Sequence, residues 1–240
     1  MPYLIKFKNL ILDILFPALC LHCQKQLSGR DKNNGICNDC LSKIAIHATL
    51  FCPVCRNRLP ENKKICHRDC KYLLASATNY DDIIKSIIHA FKYKKWSHLQ
   101  YPLKDIVNTY LDNLKFQNTD FTYYLIIPIP LHKNRQQERG FNQAELIAKI
   151  ISEKLNLNLE INNLIRFKET KSQVEIKDWE QRRNNLNNSF KILNPAKIAG
   201  KNIIIVDDVY TSGSTINEAV KVLKESQVNK IIAFVIAKAR

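Results

Sequence analysis

The placement of cysteine constrains this chain more than any other feature. All eight cysteines lie between positions 20 and 70, and none occurs in the rest of the 240 residues. They come as close pairs: Cys20/Cys23, Cys37/Cys40 and Cys52/Cys55 are C-x2-C, and Cys66/Cys70 is C-x3-C. At these spacings two thiolates from one tight turn grip a single tetrahedral ion, so two pairs complete one site and four pairs complete two. The sequential grouping, first pair with second and third with fourth, is the simplest; an interleaved grouping is the alternative. A disulfide framework suits small secreted chains. Here the N-terminal stretch MPYLIKFKNLILDILFPALC is not expected to be a secretory leader. Asp13 interrupts its apolar run, Pro17 ends it, and a C-x2-C pair stands where a small-residue cleavage site would be needed. Zn2+ is therefore the expected occupant, in a structural role, because a closed all-thiolate site leaves no open coordination position. His22 and His67 stand close enough to replace a ligand, but the cysteines suffice without them.

The same N-terminal stretch places Leu10, Ile11, Ile14 and Leu15 on one face of a short amphipathic helix. No apolar run approaches the 18 residues or so that a membrane span needs. Composition then shifts near residue 72. Beyond it, helix and strand patterns alternate. DDIIKSIIHAFKYKKWSHL reads as a helix with Asp81 and Asp82 at its start and Ile84, Ile87, Ile88 and Phe91 as its stripe. QYPLKDIVNTYLDNL is a second helix, and YYLIIPIP is a buried strand stopped by prolines. NQAELIAKIISEKL is a helix with Ala144, Ile147, Ile150 and Ile151 inward, and a short strand follows near Leu164. FKETKSQVEIKDWEQRRNNLNNSF is too long and polar to be a simple connector. NIIIV, STINEAVKVLKE and KIIAFVIAK complete the chain as strand, helix and strand. Apolar strands alternating with helices predict an α/β fold with a mainly parallel, twisted sheet flanked by helices. The expected organisation is a small metal module with the short amphipathic helix over residues 1–72 and the α/β domain over 73–240.

The stretch IIIVDDVYTSGST, Ile203 to Thr215, carries the chemistry. In an open parallel sheet, ligands bind at the carboxyl ends of strands. Here a buried strand runs into two adjacent carboxylates and then a hydroxyl-rich turn that enters a helix. Backbone N–H groups, hydroxyls and the helix dipole make that turn an anion site suited to a phosphate monoester. Gly213, one of only five glycines, lets the backbone approach the phosphate. Asp207 and Asp208 suit a vicinal diol, and a bound Mg2+ would ease their mutual repulsion. A P-loop would need Gly-Lys-Ser/Thr and a dinucleotide fold G-x-G-x-x-G; neither is present.

This stretch resembles the phosphoribosyl-pyrophosphate (PRPP) fingerprint of type I phosphoribosyltransferases. Ser212 stands where the fingerprint often carries threonine, and Tyr210 takes a variable slot. IPIPLHKNRQQERGFNQAELIA, Ile127 to Ala148, resembles the signature of the ComF family, as do RFKETKSQ, QRRNNLNNSF and the cysteine module, read as an N-terminal double zinc ribbon. The resemblance covers essentially the whole chain. It implies that Asp207 and Asp208 hold the ribose hydroxyls, with the catalytic role at these two residues, and that Thr211, Ser212, Gly213, Ser214 and Thr215 hold the 5′-phosphate. Arg135 and Arg139 are implied as pyrophosphate partners, with Gly140 starting the next helix and His132 as an auxiliary. Lys171, Gln173, Arg182 and Arg183 are implied as the working residues of a mobile loop. Metal ligands are expected at Cys20, Cys23, Cys37, Cys40, Cys52, Cys55, Cys66 and Cys70.

The resemblance also implies a role in natural transformation, in handling incoming single-stranded DNA on the cytoplasmic side, beside a membrane channel and a helicase. The alternative is an active phosphoribosyltransferase of nucleotide metabolism that displaces pyrophosphate with an acceptor and has no DNA role. A formal charge of +15 and a pI near 9.5 favour phosphate-rich partners of either kind. HAFKYKKWSH interleaves Phe91, Tyr93 and Trp96 with Lys92, Lys94 and Lys95, a pattern that suits single strands; the plainer reading is a helix end with aromatics packed inward.

Overall fold

The computed structural model describes residues 17–59, 67, 70–93, 100–116, 119–168 and 189–239. The expected N-terminal helix, Cys66, Lys94 to Trp96, and Lys171, Gln173, Arg182 and Arg183 lie outside the described residues. Two compact units are present: Ile46–Tyr80 with Leu103–Arg240, and the segment up to Ala45 with Asp81–Pro102.

The larger unit is built on four parallel strands: β1 (Leu73–Asn79), β2 (Tyr124–Pro128), β5 (Asn202–Tyr210) and β6 (Ile231–Lys238), in the order β1-β6-β5-β2. The central strands read as near-continuous apolar runs because both faces of the sheet are covered. All eight residues of β6 are buried. Strand β1 was not evident in the sequence. Its segment, LLASATN, is short in branched aliphatics, yet it is buried through its middle and Ala75 and Ala77 lose all exposure. Small side chains there signal close packing, which reads in sequence as weak hydrophobicity.

Helix α6 (Gln143–Leu155) lies against β2 and β5, and α7 (Ser214–Glu225) against β5 and β4 (Phe190–Ile192). Ala144, Ile147, Ala148 and Ile151 are the buried stripe of α6; Ile150, expected inward, is only half-buried. Strand β3 (Leu164–Arg166) pairs with β4 as a separate antiparallel ribbon, so the polar stretch begins and ends in a hairpin. Helix α4 spans Gln100–Phe116, and α5 spans Lys133–Arg139. In the smaller unit, α1 (Arg30–Asn34) precedes the second cysteine pair, α2 (Asn38–Leu41) has Cys37 as its N-cap and holds Cys40, and α3 spans Asp82–Tyr93. The Asp81 carboxylate accepts from the Ile84 amide at 2.9 Å and caps α3. Phe91 of α3 is buried, in line with inward packing of that aromatic. No helix among the described residues is long and apolar enough to cross a membrane.

One detail of β5 creates the site. The strand continues through both aspartates to Tyr210, past the end expected at Val206. On one side its pairing with β6 persists, Asp207 opposite Val235 and Tyr210 opposite Lys238. On the other, β2 ends at Pro128 opposite Val206, with a last bond from the Ile129 amide to Val206 O at 2.8 Å. The aspartates therefore extend beyond the last residue of the neighbouring strand, at the carboxyl edge of the sheet.

Candidate phosphate site and metal centres

The cysteine segments fold as two copies of one hairpin. LCLHCQKQL (19–27) and FCPVCRNRL (51–59) align position for position. Leu19 bridges Gln26 and Phe51 bridges Arg58. Gln24 and Arg56, each just after the second cysteine, take left-handed φ of 61° and 59° and bond back to Cys20 O and Cys52 O. The repeat is written in the sequence as L/F-C-x-x-C-x-x-Q/R-L, a short local period.

In the smaller unit the Sγ atoms of Cys20, Cys23, Cys37 and Cys40 all lie within 4.8 Å of one another. This is the sequential grouping. Burial would raise the Cys20 thiol, but amide N–H groups of Cys37, Cys23 and His22 converge on its sulfur and bring it down to about 6. Burial pushes Cys37 and Cys40 up. Four packed sulfurs of which one readily ionises are a donor set completed by a soft dication, and Zn2+ fits it. In the larger unit Cys52, Cys55 and His67 gather within 4.8 Å, with Cys70 Sγ 3.6 Å from Cys52 Sγ. His67, set aside in the sequence reading, thus brings its Nδ1 within 3.4 Å of Cys52 Sγ. Cysteine and histidine are both zinc ligands, so this set also fits a structural ion.

At the carboxyl edge of β5, Asp207 and Asp208 are half-buried, and Asp207 Oδ1 accepts from the Asp208 amide at 2.8 Å. The turn then enters α7. Gly213 is its N-cap with φ 78°, and the Ser212 and Ser214 hydroxyls meet at 2.7 Å. The opening amides of α7 and the four hydroxyls of Thr211, Ser212, Ser214 and Thr215 thus border one turn, the arrangement expected of a phosphate cradle.

The arginines divide. Arg135, on α5, shares an electrostatic neighbourhood with Arg166 and Asp207. Burial, and after it the charge of Arg135, lower the Arg166 guanidinium to about 10 against the opposing pull of Asp207. Two guanidinium groups whose charges repel each other are a pair that a phosphate or pyrophosphate oxygen between them would relieve. Arg166 had been given no role; its signal was a cation ending an apolar strand, stacked over the Phe190 ring with 5.5 Å to its centroid. Arg139 turns instead to α6, donating to Gln143 Oε1 at 3.3 Å. Gly140 does not start that helix. It closes α5 at φ 78°, and Asn142 caps α6 by accepting from the Ala144 amide while donating to Ile129 O. His132 caps α5 rather than facing a ligand, its Nδ1 accepting from the Asn134 amide.

Beneath the phosphate turn lies Tyr210, treated as a variable position in sequence. Its ring fills the space a Gly213 side chain would need, with Cζ 2.6 Å from where a Cβ would stand. Its hydroxyl donates to Pro53 O at 3.2 Å and meets Tyr72 Oη at 3.0 Å, while Tyr72 donates to Asn217 Oδ1 at 2.7 Å. Burial raises both tyrosines, so they remain neutral hydrogen-bonding phenols.

Comparison with known proteins agrees with this geometry. The phosphoribosyl transferase domain family matches residues 142–240, and the double zinc ribbon domain family matches 11–71. The chain is thus a double zinc ribbon joined to a type I phosphoribosyltransferase domain. Its relatives match over most of their length. Competence protein F of Haemophilus influenzae is 28% identical over 93% of this chain and 98% of its own. Competence protein ComFC of Bacillus subtilis is 28% identical over 86% and 89%, and DNA utilization protein YhgH of Escherichia coli K12 is 28% identical over 86% and 91%. Over most of its length the chain is thus similar to the competence F, ComFC and YhgH proteins.

Proposed function

We propose that the protein binds PRPP, or a related 5-phosphoribosyl ligand, with Mg2+, and serves the handling of incoming single-stranded DNA during natural transformation. The observation that carries the ligand is the conjunction at one sheet edge of a phosphate turn, two carboxylates and the Arg135–Arg166 pair. Thr211 to Thr215 would hold the 5′-phosphate through amides and hydroxyls, and Asp207 and Asp208 would accept hydrogen bonds from the ribose 2′- and 3′-hydroxyls. Arg135 and Arg166 would neutralise the pyrophosphate; Arg139 would reach it only by leaving Gln143. When bound, Mg2+ would supply charge neutralisation between the carboxylates and the ligand's phosphate oxygens. Mg2+ is a hard cation that binds carboxylate oxygens, which the paired aspartates offer.

The role in DNA handling is supported by the similarity to competence proteins and DNA utilization proteins. It carries with it a site of action at the cytoplasmic face of the membrane, beside a DNA channel and helicase. The zinc-binding cysteines would serve as staples, Cys66 and Cys70 among them.

The test is the melting temperature with Mg2+ and increasing PRPP. A ligand that binds only the folded state raises stability as RT ln(1 + [L]/Kd), about 2.7 kcal/mol at a hundredfold excess over Kd. We expect a rise in the wild type that vanishes in the Asp207→Asn, Asp208→Asn double variant. No rise in the wild type would overturn the ligand assignment. Pyrophosphate release in a screen of acceptors would point to the transferase of nucleotide metabolism instead.

A further inference from the structure

The second cysteine hairpin reaches the phosphate turn through one side chain. Arg56, which follows Cys55, donates from Nη2 to Thr211 O at 2.8 Å and from Nη1 to Ala239 O at 3.2 Å. Its guanidinium also lies over the Tyr210 ring, 5.7 Å from the centroid. Thr211 opens the phosphate turn, and Ala239, just past β6, donates to Tyr210 O at 2.8 Å. Arg56 therefore clamps the ends of the two central strands where the ligand turn begins. A planar guanidinium can hold two carbonyls at once; an ammonium cannot reproduce that fork.

The hairpin's geometry makes this clamp depend on the cluster. Arg56 sits at φ 59°, a left-handed conformation that costs an L residue about 1–2 kcal/mol. The turn is fixed by Cys52 O accepting from the Arg56 amide at 2.8 Å and Asn57 O accepting from the Cys52 amide at 3.0 Å. Its two cysteines belong to the metal-ligating set. A second link runs from the same turn, since Pro53 O accepts from Tyr210, the floor under Gly213. The first hairpin is the internal control. Its Gln24 has the same backbone and is exposed, so the turn itself does not require an arginine.

We infer that Arg56 is a positioning residue that couples metal at the second cluster to the phosphate turn, so that metal and phosphoribosyl ligand stabilise each other. This rests on the phosphoribosyl reading of the turn. Without metal the Cys52–Cys55 turn is free to relax. The fork then leaves Thr211 and Ala239, and the floor beneath Gly213 loses its anchor at Pro53. By linkage the reverse holds: ligand at the turn must tighten the metal by the same factor.

The experiment compares the full-length, zinc-loaded wild type with Arg56→Gln, Arg56→Lys and Cys55→Ser. Zinc content, hydrogen exchange over residues 211–217, PRPP affinity, and the rate at which a chromophoric chelator removes zinc with and without PRPP are measured. Arg56→Gln is expected to retain both zinc ions, exchange at 211–217 about tenfold faster and bind PRPP about tenfold more weakly. Arg56→Lys should fall between it and the wild type. Cys55→Ser should lose one zinc and show the same loosened turn. PRPP should slow release of one of the two zinc ions in the wild type and leave it unchanged in Arg56→Gln. Wild-type exchange at 211–217 in both Arg56 variants would overturn the coupling, as would PRPP binding without effect on zinc release. Loosened exchange in the Arg56 and Cys55 variants, with a wild type that binds no PRPP, would sustain the link from metal to turn and sink the phosphoribosyl reading.

Discussion

Gly213 is where one residue decides whether the phosphate turn exists. Its φ of 78° lies in the left-handed region, and a methyl group there would collide with the Tyr210 ring and hydroxyl. Either effect alone would be tolerable. The left-handed conformation costs about 1–2 kcal/mol in an L residue, and an exposed ring could step aside. Tyr210 cannot, because its hydroxyl is shared between Tyr72 and Pro53 and burial keeps it in place. Gly213→Ala is therefore expected to lower the melting temperature modestly and to weaken PRPP binding by at least about tenfold, since strain and collision both fall on the turn that holds the phosphate. Calorimetric titration beside a melting curve separates the two effects. Unchanged affinity would show that the turn is not the ligand site.

At the scale of elements, His47 joins the segment before the second cysteine hairpin to the sheet. Its amide donates to Ala77 O at 2.8 Å, its Nδ1–H donates to Ser76 O at 2.8 Å, and its own carbonyl accepts from Asn113 on α4 at 3.0 Å. The ring stands edge-on to Phe51. Burial lowers its pKa, the Ser76 bond opposes that, and the charges of Lys238 and Arg58 lower it further. The unfolded chain then binds a proton near pH 6.5 that the folded chain resists. Stability from this group is present above about pH 6.5 and is lost as pH falls from there through the folded value. Melting temperatures between pH 7.5 and 5 should fall more steeply for the wild type than for His47→Gln. Equal slopes would show that His47 does not govern this window.

The same scale shows what could be read in advance. Helix α7 and strand β6 were legible because their periodicity is strong and their boundaries carry turn chemistry. The first cysteine cluster was legible because spacing alone defines a metal turn. Strand β1 was hidden because alanine, serine and threonine fill a strand buried on both faces. Helix α5 was hidden because KNRQQER has no buried residue to set a period. In the site, Asp207 and the serine-rich turn were visible as local sequence. Arg166, Tyr210 and Arg56 were not, since their roles arise from neighbours far away in the chain: Asp207 for Arg166, Tyr72 for Tyr210 and Thr211 for Arg56.

For the whole molecule, the property that bears on DNA is charge. An excess of fifteen positive charges makes nonspecific attraction to any polyanion certain, so bare affinity for DNA says little about function. Its salt dependence says more. Each phosphate contact on a single strand releases counterions and contributes about −0.7 to the slope of log K against log salt. A defined site of three to six contacts predicts a slope of about −2 to −4 and a measurable residue after extrapolation to high salt, to which aromatic stacking contributes. Diffuse attraction predicts affinity that vanishes there. The triple change Lys92→Ala, Lys94→Ala, Lys95→Ala tests where the contacts lie. If the basic end of α3 and the residues after it bind the strand, the slope should become shallower by about 2 while PRPP binding stays at the wild-type level. An unchanged slope would remove this segment from the DNA path. Loss of PRPP binding in the same variant would show that the change had disturbed the phosphoribosyltransferase domain itself.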